Sequence, residues 1–263
     1  MTESPQKSFL GIGKILMLLV LGLVVYGVTL VFQVPAGWLW HKASAGIELP
    51  PQVEVQKVSG SLWRGAAGLN IGGFPVRVHW HLDWPSVTEL TLPLEFSLSS
   101  SQSRLAGLVR AGWPATFEVT GEGIVTVSEF ESLIRQSGGA MIDGAVTIDA
   151  FRLAWADNRL QQAQGVGHWP GGLVTWPMGS GTGQARFPPM EADLNTRDEG
   201  VALRIAEQGA SGPAALASVA RNGMMDIRVY KRMVDLAGQP WADSASPDDL
   251  VFRVQQPLLP GGF

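Results

Sequence analysis

Two histidines and an aspartate lie at alternate positions of a segment that switches between apolar and polar residues. His79, His81 and Asp83 fall within Val76–Trp84, so on a β-strand their side chains point the same way, about 7 Å apart. Imidazole and carboxylate groups placed like this can ligate zinc. Arg77 shares the face, however, and a cation beside the ligands disfavours a metal. We interpret this face as the solvent side of an amphipathic strand and expect no metal site.

Other groups that could support catalysis have no suitable neighbours in the sequence. Serine is plentiful, but no Gly-x-Ser-x-Gly string occurs, and neither His41 nor His168 has an obvious orienting carboxylate. Cysteine is absent, which excludes thiolate ligands and cysteine nucleophiles. The glycines of 179–183 do not open a helix after a strand, as a phosphate cradle requires. We predict no catalytic residues, no enzymatic activity, no cofactor and no small-molecule substrate.

Tryptophan is the most informative residue type, with ten in the chain. Four tryptophans alternate with other apolar residues and are expected in the core; they are Trp63, Trp80, Trp84 and Trp155. Four more lie beside proline or glycine, and an exposed indole there points to a covering partner because tryptophan is enriched at binding hot spots. These candidate exposed binding aromatics are Trp113, Trp169, Trp176 and Trp241. The alternative is that each closes an end of a β-core.

The first element that could position these groups is an uncharged apolar segment at residues 15–34. A helix of about 20 residues matches a hydrocarbon core roughly 30 Å thick, and Trp38 and Trp40 follow it as interfacial aromatics do. Lys7 and Lys14 precede it, which predicts a cytoplasmic N-terminus and a body on the other side. The predicted boundaries are 1–14 for the cytoplasmic N-terminus, 15–34 for a single transmembrane helix and 35–45 for a juxtamembrane linker.

A cleaved signal peptide is the competing interpretation of the same segment. Ala43-Ser44-Ala45 has the small-x-small form of a cleavage site. The apolar stretch is longer than the roughly 7–15 residues of a signal core, and the small residues lie well past its end. We therefore favour an uncleaved anchor. Both interpretations deliver the body to the same compartment.

The body, residues 46–263, has the pattern of a β-rich and mostly antiparallel domain, or of two small ones, with few short helices. Apolar and polar residues alternate between turns rich in glycine and proline. The predicted strands are 76–84, 92–98, 117–120, 124–127, 145–151, 153–155, 200–205, 225–230 and 250–254, and the predicted helices are 129–136 and 231–237. Residues 169–189 are predicted to be loops around one short strand. The net charge of −4, with no basic cluster after the anchor, argues against nucleic acid as a partner.

The most distinctive local string is Val58-Ser59-Gly60-Ser61-Leu62-Trp63-Arg64-Gly65. Its glycines bracket Trp63 and allow bends on either side of a buried indole. A second string runs from Gly144 to Trp169. With the N-terminal anchor, these strings resemble the type II secretion system protein N family, whose motif fits here at Val58, Gly60, Leu62, Trp63 and Gly65.

This resemblance implies a non-enzymatic, periplasm-facing accessory protein of the bacterial inner membrane. Its partners would be other inner-membrane components of the type II secretion machinery. A second similarity is at the level of architecture alone. AsmA-like membrane-anchored proteins hold lipid in long apolar β-grooves, so binding of lipid or another hydrophobic ligand is the alternative function.

Overall fold

The structure, a computed structural model, describes most of the chain. The described residues are 12–46, 49, 53–86, 90–136, 139–157, 159–179, 181–197, 200–242 and 244–257. For some residues in helices, the structure describes the backbone but not the side chain; these residues are 12–16, 18, 24, 28, 30–32, 45, 133 and 136.

Helix α1 spans Ile12–Gln33 and overlaps the segment predicted to cross the membrane. Its described apolar side chains from Met17 to Tyr26 are exposed, so they do not pack on the rest of the chain. Within the residues that the structure describes, no helix is found that is both long enough and apolar enough to cross a membrane. The transmembrane segment therefore stays a prediction, and most of the predicted cytoplasmic N-terminus lies outside the described residues.

The predicted juxtamembrane linker is helical. Helix α2 spans Ala36–Ala43, and a 3-10 turn, Ser44–Gly46, follows it. The chain just before α2 is held by the body, because Pro35 forms a β-bridge with Ser61 and the amide of Leu62 donates a hydrogen bond to the Val34 carbonyl at 3.3 Å. The C-terminal end of α1 is thus fixed to one end of the β-structure.

One antiparallel sheet of thirteen strands dominates the described chain, and its strands follow one another in chain order. Its strands are β1 Val53–Gly60, β2 Arg64–Ile71, β3 Phe74–Leu82, β4 Thr91–Ser99, β5 Arg104–Gly112, β6 Thr116–Thr126, β8 Ala145–Ala156, β9 Arg159–Trp169, β12 Met190–Arg197, β13 Gly200–Glu207, β14 Ala215–Ala220, β15 Met224–Tyr230 and β16 Leu250–Pro257. A second sheet, in the order β11–β10–β7, contains β7 Met141–Ile142, β10 Gly172–Met178 and β11 Gly181–Phe187. Two short α-helices, α3 Glu131–Gln136 and α4 Lys231–Leu236, and a 3-10 turn at Val127–Phe130 directly before α3 belong to the described body as well.

The long sheet has one apolar and one polar face, because directly paired residues of neighbouring strands point to the same side. Between β3 and β4, Trp80 lies opposite Phe96 on the side that we call the apolar face. His79 lies opposite Ser97, and His81 opposite Glu95, on the polar face. The alternation of apolar and polar residues in the sequence therefore corresponds to the two faces of this sheet.

The buried core lies on the apolar face where the second sheet and α4 pack against β9, β12 and β13. Its buried members are Trp169, Val174, Phe187, Met190 and Ala214. Among the described residues, no large side chain is fully buried, and the main contacts of β4 and β5 are with their neighbours in the sheet. The apolar face across the middle of the sheet therefore lacks a second protein layer in the described part of the chain.

The mainly β, antiparallel fold with few short helices is confirmed, but several predicted boundaries were wrong. The predicted strands 117–120 and 124–127 join into β6, and 145–151 and 153–155 join into β8. Residues 169–189 contain the two paired strands β10 and β11 instead of loops around one strand. Glycines at positive φ, such as Gly171 and Gly179, form the connections and hid these strands in the sequence.

Candidate binding face

The string from Val58 to Gly65 forms the tight connection between β1 and β2. Gly60 has a φ of +90°, and a Cβ atom there would lie 2.5 Å from the Arg64 carbonyl oxygen. The amide of Ser61 donates to the same carbonyl at 2.9 Å. Only glycine combines this backbone conformation with so close an approach of the returning strand. Gly60 is thus a structural residue of the turn.

The same connection fixes the indole of Trp80. Its Nε1 donates a hydrogen bond to the Leu62 carbonyl at 3.1 Å. The ring lies over Gly65, where a Cβ atom would clash with the ring and would lie 2.7 Å from the Ser59 carbonyl oxygen. The second glycine of the string therefore leaves the space that this indole occupies on the apolar face.

Trp63 links this connection to the next one along the same end of the sheet. Its ring centroid lies 5.8 Å from that of Trp84, which follows β3. The amide of Leu82 donates to the Trp63 carbonyl at 2.7 Å. The expectation that Trp84 lies in the core was wrong, since it is 70% exposed. Its contact with Trp63 is made at the surface.

An apolar cleft lies between α2 and the first three strands. Its volume is about 460 Å³. Its walls are Ala36, Leu39, Trp40 and Ala43 from α2, Val55, Val58, Leu62, Ala67 and Leu69 from β1, β2 and their connection, and Trp80 from β3. Ligand pockets are typically concave, apolar and of this size. The cleft therefore offers a binding surface for an apolar group.

Beyond the cleft, aromatic and glycine residues occupy paired positions across the apolar face. Phe96 lies opposite Gly107, which lies opposite Gly121, and Phe151 lies between Gly121 and Gly165. A Cβ atom on Gly107 would come within 2.7 Å of the Phe96 ring. Each ring thus covers the glycine of the neighbouring strand, an arrangement that pins strand register.

The four candidate exposed aromatics differ in exposure. Trp113 is 81% exposed and Trp241 is about half exposed, and the binding role of both stays a prediction. Trp169 is not an exposed aromatic, because it is 6% exposed and its Nε1 donates to the Asp143 carbonyl at 2.7 Å, so the alternative of a core position holds for this residue. Trp176 is partly buried against that core. A neighbouring proline or glycine therefore does not show that a tryptophan is exposed. Beside Trp169 and Trp176, these residues belong to the turns and strands of the second sheet, where the indoles are covered.

On the histidine face of β3, His81 lies near two carboxylates and one guanidinium group. His81 Nε2 is 3.8 Å from Asp83 Oδ1, and His81 Nδ1 is 4.0 Å from Glu95 Oε2. Arg64 Nη2 approaches His81 Nε2 at 3.4 Å. In the described part of the chain, no three histidine, aspartate or glutamate residues come close enough to hold a metal. The arrangement is that of a charged, solvent-facing strand.

Glu129, which follows β6, holds the adjacent connection between β4 and β5, at the end of the sheet opposite to the contact of Trp63 with Trp84. Its carboxylate accepts 2.7 Å hydrogen bonds from the hydroxyls of Ser100, Ser101 and Ser103, and a 2.9 Å bond from the Ser101 amide. Desolvation raises the pKa of this carboxyl, but the hydrogen bonds together outweigh it and lower the pKa to about 2. The carboxylate therefore stays ionised and accepts bonds only.

The open two-faced sheet and its cleft define a β-rich protein that presents binding surfaces. Comparison with known families gives a more specific result. The family model described as type II secretion system (T2SS), protein N, matches residues 51–242. The chain therefore belongs to the type II secretion system protein N family, and this membership supports a part in type II secretion. Comparisons with curated proteins and with solved structures give no significant match.

Sequence reasoning found the turn string but missed the cleft and the paired glycines. The cleft depends on α2, which looked like a linker with interfacial tryptophans. The pairing of Gly121 with Phe151 depends on strand register, and an extra residue in β8 shifts that register beside this pair. The alternating glycines Gly121-Glu122-Gly123 and Gly165-Val166-Gly167 were the available signal.

Proposed function

We propose that this chain is a non-enzymatic, membrane-held accessory component of the type II secretion system. In this proposal α1 crosses the inner membrane once, the N-terminus is cytoplasmic, and the β-body contacts other secretion components in the periplasm. The family match over most of the β-body is the observation that carries the proposal. The apolar helix fixed to one end of the sheet supports the membrane attachment.

The terminal strand β16 is the best candidate for contact with a protein partner. In the described sheet, β16 is hydrogen-bonded to β15 only, so its other edge offers backbone groups to an added strand. Leu250 and Phe252 near the start of β16, and Trp241 in the segment before it, are about half exposed. An edge flanked by exposed apolar side chains fits β-augmentation by a partner strand.

Replacement of Phe252 by serine tests this contact. We expect Phe252→Ser to lower co-purification of inner-membrane secretion components with the tagged full-length chain several-fold. Ile124→Ser is the matched control, because Ile124 is similarly exposed on β6 away from the edge. Equal recovery of partners with both variants would exclude β16 as the contact, and no recovery with the unaltered chain would count against the proposed function itself.

A second candidate function is the binding of a hydrophobic ligand, as in AsmA-like proteins. The apolar cleft under α2 and the uncovered apolar face favour it. Ala67 and Ala66 are neighbours on β2 whose side chains point to opposite faces, and only Ala67 lines the cleft. Native mass spectrometry of the purified full-length chain should show bound lipid that Ala67→Leu displaces and Ala66→Leu does not. The absence of lipid from the unaltered chain would rule this candidate out.

A further inference from the structure

The end of the long sheet to which α1 is attached carries a row of exposed apolar side chains. The connections β1–β2, β3–β4 and β5–β6 all lie at this end, because the strands alternate in direction along an antiparallel meander. We call this end, from the first to the third of these connections, the anchor rim. Its exposed large apolar residues are Leu62, Trp84, Leu90, Trp113 and Phe117.

The anchor rim is a connected surface. Trp84 contacts Trp63 of the first connection, and the amide of Trp113 donates to the Leu90 carbonyl at 3.2 Å. Neighbouring strands are about 4.8 Å apart, so the rim from β2 to β6 is roughly 20 Å long. The two exposed indoles alone present on the order of 350 Å² of surface.

The opposite end of the same strands has a different composition. The β2–β3 turn contains Gly72 and Gly73, and the β4–β5 turn is Ser100–Ser103, with hydroxyls bound to Glu129. Among the described residues of these two turns, no large apolar side chain is exposed. Among the described residues from β1 to β6, the exposed aromatic side chains are Trp84, Trp113 and Phe117, and all three lie at the end where the apolar helix joins the sheet.

We propose that the anchor rim lies in the headgroup region of a lipid bilayer, so that the sheet stands on the membrane surface. This inference rests on the proposed membrane attachment through α1. The attachment at Pro35 and Ser61 brings the rim to the end of the apolar helix. Tryptophan favours the membrane–water interface, because its ring is apolar and its N–H remains hydrated. Arg64 and Asp83, at the same rim, are compatible with the polar headgroup layer.

Because the chain has no cysteine, a single spin label can report the depth of each end of the sheet. The variants are Trp113→Cys and Phe117→Cys at the rim, Gln102→Cys at the opposite end, and Leu23→Cys in α1. Each labelled full-length chain is reconstituted into vesicles of phosphatidylethanolamine and phosphatidylglycerol without other proteins. Collision of the label with oxygen, which concentrates in lipid, is compared with collision with a water-soluble nickel chelate.

We expect the oxygen-to-nickel collision ratio at positions 113 and 117 to exceed that at position 102 several-fold, with the highest ratio at position 23. Equal ratios at 113, 117 and 102, together with a high ratio at 23, would overturn the rim proposal while leaving the membrane attachment intact. A low ratio at position 23 as well would overturn both. Labels at both rim positions guard against a local effect of either substitution.

Discussion

Aromatic rings and glycines fill complementary positions on neighbouring strands of the apolar face. Phe151 covers Gly121 of the preceding strand, and Phe96 covers Gly107 of the following one. A single-layer region has no opposing sheet to bury its aromatic rings. A ring that lies flat on the neighbouring strand still removes apolar surface from water. Glycine inside a strand is costly in entropy, and this ring contact offsets the cost.

Substitution of Gly121 by alanine should destabilise the fold. The added Cβ would lie 2.7 Å from both the Phe151 ring and the Ala106 carbonyl oxygen, so backbone or ring must move. We expect a loss of about 1–3 kcal/mol in the free energy of unfolding, measured by urea denaturation in detergent. Gly68→Ala is the control, because a Cβ there has no atom within 4 Å. A loss equally large at Gly68 would contradict the space-filling role.

The hydrogen bonds to Glu129 should make the free energy of unfolding depend on pH at acidic pH. A pKa lowered from 4.5 to about 2 means that the stabilisation is complete above pH 4.5 and is lost as the pH falls through about 2. Glu129→Gln should lower the free energy of unfolding at pH 7, on the order of 1 kcal/mol. The difference from the unaltered chain should shrink between pH 4.5 and 2 in urea titrations. Glu131→Gln, which removes only the helix-surface pair with Arg135, serves as control, and a pH-independent difference would refute the assignment.

At the scale of elements, the sequence predicted strands well where alternation was strict. The predicted segment 76–84 corresponds to β3 and the predicted helix 231–237 to α4. The predicted strands 117–120 and 124–127 left Gly121 and Gly123 outside any strand, but both glycines face rings or backbone across the sheet and β6 continues through them. The local pattern of apolar and polar residues indicates which face of the sheet a residue occupies. It does not indicate which strand lies alongside or in which register the two strands pair.

The same distinction explains what could be predicted of the candidate binding surfaces. The turn string at Val58–Gly65 was recognisable because its glycines are required locally. The cleft was not, because it needs α2, which ends at Ala43, to lie on β1, β2 and β3, which begin at Val53, Arg64 and Phe74. The burial of Trp169 likewise depends on the second sheet, whose short strand β7 pairs with β10 across a long separation.

The terminal strand β16 is held by a cluster of charges on the polar face. Asp226 on β15 accepts hydrogen bonds from Arg253 on β16 at 2.8 and 2.9 Å and from Arg228. The bond from Arg253 is the largest cause that lowers the pKa of Asp226 to about 2, and Arg228 adds to it. This cluster connects β16 to the sheet in addition to the backbone ladder.

Removal of the carboxylate charge should loosen β16 selectively. We expect Asp226→Asn to increase amide hydrogen exchange in residues 250–257 by several-fold, measured by mass spectrometry at pH 7. The N-terminal edge strand β1 is the internal control and should be unchanged, because it lies at the far side of the sheet. Unchanged exchange in β16 would show that the backbone ladder alone holds it.

At the scale of the whole molecule, an open sheet attached to an apolar helix suits a protein that acts by position and contact. Among the residues considered for catalysis, His168 was expected to lack an orienting carboxylate, and this expectation was wrong, because its Nδ1 contacts Asp149 Oδ2 on β8 at hydrogen-bonding distance. The exposed apolar surfaces of the described body include the anchor rim, the cleft and β16. Each surface has a different proposed occupant: lipid headgroups, an apolar ligand and a partner strand. Family membership places these surfaces in the context of type II secretion.

Export of a secreted enzyme from a deletion strain tests the central claim most directly. The account predicts that deletion lowers the amount of type II cargo in the medium and that the full-length chain restores it. The body released into the periplasm by a cleavable signal should restore export poorly, even when it accumulates in folded form. Normal export in the deletion strain, or full restoration by the released body, would contradict the account.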